Sequence, residues 1–170
     1  MVEKVIEIDR GWNRIQRELK QLKNSYTSIG YMSGMSRKLV ERAYINENGA
    51  KIRVTKKMRG WWLYNFGVML KKSILIIPKR PFMKMTFDKN KNLIVSKVAK
   101  EYDYILIGVN NTRKSLSRLG EWYTGQMKLT MTNGNFTANS AATVKKKKSS
   151  KPLIDSGEMR NSIQHREFLK

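Results

Sequence analysis

The chain has 170 residues, 35 of them Lys or Arg against 13 Asp or Glu, so its formal charge is +22, and 40% of it is hydrophobic. That length supports one domain, 1–170, burying about 70% of its unfolded surface, while the charge repels itself and favours a partner of opposite sign. The absence of cysteine excludes disulfides, thiolate nucleophiles and Cys-ligated zinc and fits a reducing cytoplasm; no apolar run reaches the ~18 residues of a membrane span, and Met1-Val2-Glu3-Lys4 opens no signal-peptide core.

Residues 9–24 read as an amphipathic helix capped by Asp9. Trp12, Ile15, Leu19 and Leu22 share one face, and Arg14, Arg17, Lys20 and Lys23 lie opposite. Residues 25–32 alternate as a strand, bounded by Ser33-Gly34. A helix over 36–47, with Leu39, Val40, Ala43 and Tyr44 as its stripe, ends at Asn48-Gly49. Ile52 and Val54 are extended. Thr55 caps a helix from 56 to 67 that presents Met58, Trp62, Leu63 and Phe66.

Ser73 to Ile77 is apolar and β-branched, and Pro78 stops it. Pro81 suits the first turn of a new helix, because its missing N–H has no helical partner there. Residues 82–107 hold one long helix or two short ones, with Tyr102 to Ile107 open to a strand reading as well. Thr112 is placed to cap a helix over 113–132 with Leu116, Leu119, Trp122, Tyr123 and Met127 inward, closed by Asn133-Gly134. The polar stretch 134–152 reads as a long basic loop or arm that orders on assembly. Residues Arg160 to Phe168 make a terminal strand.

Charge is concentrated. Between 51 and 91 stand twelve Lys or Arg, including Lys79 and Arg80, against a single acid, Asp88. The arm adds Lys145, Lys146, Lys147, Lys148 and Lys151 with no acid among them. A charge run is commonly a solvated face; the functional reading is contact with a polyanion or an acidic protein. Lys is a flexible point charge without Arg's planar fork, so the run suits diffuse phosphate attraction better than base readout.

Trp61 and Trp62 are neighbours on a helix and point about 100° apart, so both cannot face one core. The second is then exposed or meets another subunit, and tryptophan favours interfaces. Stacking on a single strand would need more aromatics. His165, the only histidine, suits a surface or capping role. Glu41 and Glu47 fall near opposite faces of one helix, as do Glu101 and Asp103, so neither pair forms a glycosidase or metal site. No Gly-rich phosphate loop occurs. The ten methionines suit irregular core gaps. Nothing in this pattern calls for an enzyme, and no cofactor is implied.

The most distinctive segment is Lys151-Pro152-Leu153-Ile154-Asp155-Ser156-Gly157-Glu158-Met159-Arg160-Asn161-Ser162-Ile163. Asp155-Ser156-Gly157 is turn chemistry, and Ser156 is placed to cap a helical turn through Arg160. This segment resembles the closing Pro-Leu-Ile-Asp-(Ser/Thr)-Gly-x-(Leu/Met)-Arg-x-Ser-Ile of tail-completion proteins from the neck of tailed bacteriophages. Ile77-Pro78-Lys79-Arg80-Pro81-Phe82, followed by Thr86-Phe87-Asp88, is similar to that family's Pro-x-Arg-Pro-Phe. Tyr44-Ile45-Asn46-Glu47-Asn48-Gly49 is similar to its helix-ending Asn-Glu-x-Gly. The three stand in the family's order across roughly residues 40–165.

The resemblance implies an α+β fold, with several helices packed on a small, mostly antiparallel sheet. It implies a structural virion protein, assembled in the host cytoplasm, whose six copies form a ring that completes the tail and joins it to the head around a DNA-passing lumen. Its partners would be other copies of itself, a portal- or adaptor-side connector, a tail terminator or tube or sheath protein, and the genome end. No membrane is involved. The alternative is a stand-alone basic nucleic-acid-binding protein.

Overall fold

A computed structural model describes residues 11–67, 69–147 and 149–170, with Lys146 described by its backbone alone. Along the chain run α1 (Trp12–Asn24), β1 (Tyr26–Gly30), α2 (Arg37–Asn48), β2 (Ala50–Arg53), α3 (Lys56–Phe66) and β3 (Ile74–Ile77). They are followed by α4 (Phe82–Leu106), α5 (Thr112–Asn133), α6 (Ala141–Lys147), α7 (Glu158–Asn161) and β4 (Gln164–Phe168). The fold is α+β. Its strands form two separate antiparallel pairs, β1–β4 and β2–β3, where one sheet was expected.

The core lies where α2, the start of α4, the end of α5 and the 153–163 segment meet. Leu39, Ala43, Phe82, Met127, Met131, Leu153, Met159 and Ile163 are buried together there. Each of the seven other than Ala43 contributes about 1.5–3 kcal/mol on leaving water. Three of the eight are methionine, in keeping with the gap-filling role expected of that residue. Helix α5 packs along α4 and across β1–β4. Gly120 permits the second contact: a Cβ there would lie 2.6 Å from His165 Cδ2 and 2.8 Å from Thr27 Oγ1. His165 therefore packs under α5, with Nε2 3.4 Å from Ser117 Oγ and 3.3 Å from Glu167 Oε1.

Helix α1 closes the α4–α5 corner. Arg14 donates from Nη1 to Ile105 O at 2.9 Å and from Nη2 to Leu106 O at 3.0 Å. One turn on, Glu18 Oε2 accepts from the Thr112 backbone N–H at 2.7 Å. A cation meets the C-terminal end of one helix and an anion the N-terminal end of the next, each where the helix dipole favours it. This use of Arg14 departs from the outward face expected for it. Trp12, expected inward, is exposed, while Ile15, Leu19 and Leu22 are half-buried.

Several other boundaries differ from expectation. Asp9 lies outside the described residues, and α1 starts after Gly11. Residues 82–106 are one helix, and its last turns stay helical because Glu101 and Ile105 are buried against the body. Pro81 precedes that helix instead of entering its first turn. Asn111, not Thr112, caps α5, its Oδ1 accepting from Lys114 N at 2.9 Å. The 134–152 stretch, read as a loop, carries α6. The terminal strand, expected from Arg160, begins at Gln164 because Arg160 and Asn161 belong to α7, and Val54 lies beyond the end of β2. The other helices and strands fall within a few residues of where the periodicity places them, and Thr55 caps α3 by accepting from Met58 N at 3.2 Å.

Candidate functional site

Three segments far apart in the chain converge on Arg80. It is 7% exposed. Nε donates to Thr137 O at 2.9 Å, Nη1 to Asn46 Oδ1 at 3.3 Å, and Nη2 to Asn139 Oδ1 at 3.0 Å. Its own backbone N–H donates to Asn46 O at 2.7 Å. Burial lowers its pKa from the usual arginine value, yet it stays a cation at neutral pH. A buried guanidinium satisfied by carbonyls and amides works as a bracket between segments. Arg80 thus ties the end of α2 to the 137–139 stretch and cannot reach a phosphate or an external carboxylate. The expectation that it contacts DNA or a partner is corrected on that ground.

Glu47, next to Asn46, completes the join. Its two carboxylate oxygens accept from Met83 N at 2.9 Å and Lys84 N at 3.0 Å. Helix α4 follows a proline with no side-chain cap of its own, so its N-terminal donors are satisfied by an acid from α2. Gly49 has φ 73°, and a Cβ there would lie 3.0 Å from Ile77 O and 2.9 Å from Lys79 Cγ. Only glycine suits both the left-handed backbone and that approach. Lys79 itself is exposed.

The Asp155-Ser156-Gly157 turn lies against the same junction. Gly157 is buried with φ 83°, and Glu158 N donates to Ser156 Oγ at 3.3 Å. The Ser156 side chain thus meets the start of α7 as the turn chemistry suggested, although Gly157 occupies the capping position. Glu158 pairs with Arg42 of α2 at 3.0 Å, and Tyr31 donates to Met159 O at 2.9 Å. Burial, with the Glu47 charge nearby, raises the Tyr31 hydroxyl above its ordinary value. Arg160 bonds its neighbour Asn161 and reaches no other segment through that bond. Asp155 is exposed.

The lysine run divides. Lys147 folds back, and its Nζ donates to Lys151 O at 3.3 Å and Pro152 O at 3.2 Å. Burial lowers its pKa; the nearby Asp155 opposes that shift and Arg80 adds to it. Lys145 and Lys151 are exposed, Lys146 stands in α6, and Lys148 lies outside the described residues. A cleft of about 520 Å³ opens between the turn and α3, with Arg42, Lys147, Gly157 and Trp61 among its lining.

As expected of helical neighbours, Trp61 and Trp62 differ in exposure, yet both join one aromatic cluster with Phe66. Trp62 stacks on Phe66 with centroids 4.3 Å apart, and Trp61 meets both rings edge-on at 6.2 and 5.9 Å. Trp61 is 54% exposed and Trp62 half-buried. No described residue from 44 to 79 is buried. The β2–α3–β3 excursion therefore carries its aromatic cluster at the surface.

A second polar cluster was not anticipated. Glu101, buried, accepts from Arg118 Nε at 2.8 Å and Asn110 Nδ2 at 3.0 Å. Among the described residues no three His, Cys, Asp or Glu side chains gather as a metal site. No described helix is long and apolar enough to cross a membrane. No protein-family model, curated protein or solved structure matches the chain.

Proposed function

We propose that this chain is a structural protein of a bacteriophage neck, of the tail-completion class. Copies of it, six in the arrangement the family resemblance suggests, form a ring that completes the tail and joins it to the head. The lumen passes DNA, and the neighbours are a connector on the head side and a terminator, tube or sheath protein on the tail side. The virion is its place, and its work is assembly with no reaction to catalyse.

One observation carries this reading. The three motifs that resemble the family are distant in sequence but form one junction: Asn46 and Glu47 hold Arg80 and the start of α4, and the Gly157 turn packs beside them through Arg42–Glu158. Chance matches to short patterns have no reason to converge on one junction, the first two bonded directly through Asn46 and Arg80 and the third joined through Arg42 of the same helix as Asn46. Their place in the fold also gives them a defined role, which is to fix the scaffold that presents the surface. The test is mass spectrometry and electron microscopy of purified particles from a host that produces the chain. We expect it as a ring at the head–tail joint; particles that are complete without it defeat the proposal.

The charge of +22 favours a second reading, a stand-alone nucleic-acid-binding protein. Each neutralised phosphate releases counterions, so this reading requires affinity for DNA to fall steeply as salt rises. A shallow salt slope for the purified chain removes it.

A further inference from the structure

We propose that the outer face of β2–β3 is a docking surface for an acidic protein partner, one that presents an apolar group ringed by carboxylates. The face is made of two cross-strand pairs, Lys51 opposite Ile76 and Arg53 opposite Ile74. Strand alternation sends these four side chains to one side, while Ala50, Ile52, Leu75 and Ile77 turn to the half-buried other side. Ile74 is 50% exposed and Ile76 66%. The whole excursion from 50 to 77 contains seven Lys or Arg and no Asp or Glu. The field over this face therefore has one sign, and two β-branched apolar side chains stand beside the cations.

Charge and carbon together select the occupant. Phosphates would be satisfied by Lys51 and Arg53, but a nucleic-acid backbone gives the isoleucines nothing to bury against. A second copy docked by the same face would set Lys51 and Arg53 against their own counterparts, and each copy brings +22. An acidic protein surface with an apolar centre neutralises the cations and covers Ile74 and Ile76 in one contact. Arg80 is held by Asn46, Thr137 and Asn139, none of them on this face, so a partner covering the face leaves those bonds in place. This proposal does not depend on the neck reading.

The purified full chain is titrated by calorimetry with a random glutamate–tyrosine copolymer, with poly-glutamate, and with duplex DNA of matched charge. The copolymer is expected to bind roughly tenfold more tightly than poly-glutamate, about 1.4 kcal/mol. Replacing both isoleucines (I74S with I76S) should erase that difference and leave poly-glutamate binding unchanged. Reversing the cations (K51E with R53E) should weaken both polymers. Should the double isoleucine variant lose its circular-dichroism spectrum, I76S alone, at the more exposed position, makes the same comparison. Equal binding of the two polymers, or a preference that survives loss of the isoleucines, overturns the proposal. DNA bound more tightly than the copolymer and weakened by K51E with R53E assigns the face to nucleic acid instead. Dimers in sedimentation that I74S with I76S dissolves assign it to a second copy. Absence of the chain from virions defeats the neck reading and leaves this result standing.

Discussion

The junction around Arg80 and the β2–α3–β3 excursion are adjacent in sequence and opposite in construction. In the first, cations turn inward: Arg80 and Lys147 donate to backbone carbonyls, and Phe82 is fully buried beside them. In the second, Lys51, Arg53, Lys56 and Lys57 stay exposed while Arg59 folds back to donate to Leu70 O and Lys72 O, and the described large apolar side chains are at most half-buried, with Tyr64 at 91% exposure. A shared basic composition therefore hides two uses of positive charge. One is structural, satisfied within the chain; the other stands in solvent, where the proposed partner would meet it.

The sharpest way to break that contrast is to truncate one aromatic in each region. Phe82→Ala should cost about 3–5 kcal/mol of unfolding free energy in urea, as a large core side chain does. Tyr64→Ala should stay within about 0.5 kcal/mol, as surface changes do. Similar losses at both sites would end the distinction. Arg80→Ala comes next, at about 2–4 kcal/mol, because several charge-assisted hydrogen bonds vanish and buried acceptors lose their donor. Arg80→Lys should recover little, since an ammonium cannot reproduce the fork. A surface-like value for Arg80→Ala would return this residue to the solvated charge run.

Smaller effects refine the junction. Gly157→Ala forces a side chain into a left-handed backbone and should cost about 1–2 kcal/mol. Alkaline stability supplies another test. Tyrosine ordinarily ionises at 10.0, and burial with the Glu47 charge raises Tyr31 above that. Its contribution is complete below the unfolded value and is lost as pH climbs from there toward the folded one. Tyr31→Phe should therefore flatten the fall in stability above about pH 10, measured by urea titration at several pH values. Lys147 acts the other way: its folded value is depressed, so stability rises as pH approaches its ordinary 10.5. An unchanged alkaline slope in the Tyr31 variant would mean the hydroxyl is not held as described.

Local signals in the sequence located most helices and strands. The Thr55 cap, the Asn48-Gly49 stop and the alternation of residues 25–32 each act within a few residues, so they can be read without the fold. The sheet count was not legible, because which strand pairs with which depends on long-range closure. Arg80 was misassigned for a related reason. A charge run reads as solvent-facing unless the acceptors that neutralise it are visible, and here they come from Asn46, Thr137 and Asn139. Glu47 was legible as part of a motif but not as the cap of a helix that begins beyond three further elements. The outer face of β2–β3 had a signal in the alternation of Lys51, Ile52 and Arg53, yet it needs the register with β3 before its isoleucines join its cations.

The β1–β4 pair has a consequence for how the chain is made. Thr27 and Arg166 are 139 positions apart, so at roughly 5–20 residues per second the first strand leaves the ribosome on the order of ten seconds before its mate exists. During that interval β1 offers an unpaired backbone edge, the kind on which foreign strands nucleate. Overexpression at high temperature should accordingly yield aggregates seeded by residues 26–30, and slower growth or a holdase chaperone should recover folded material.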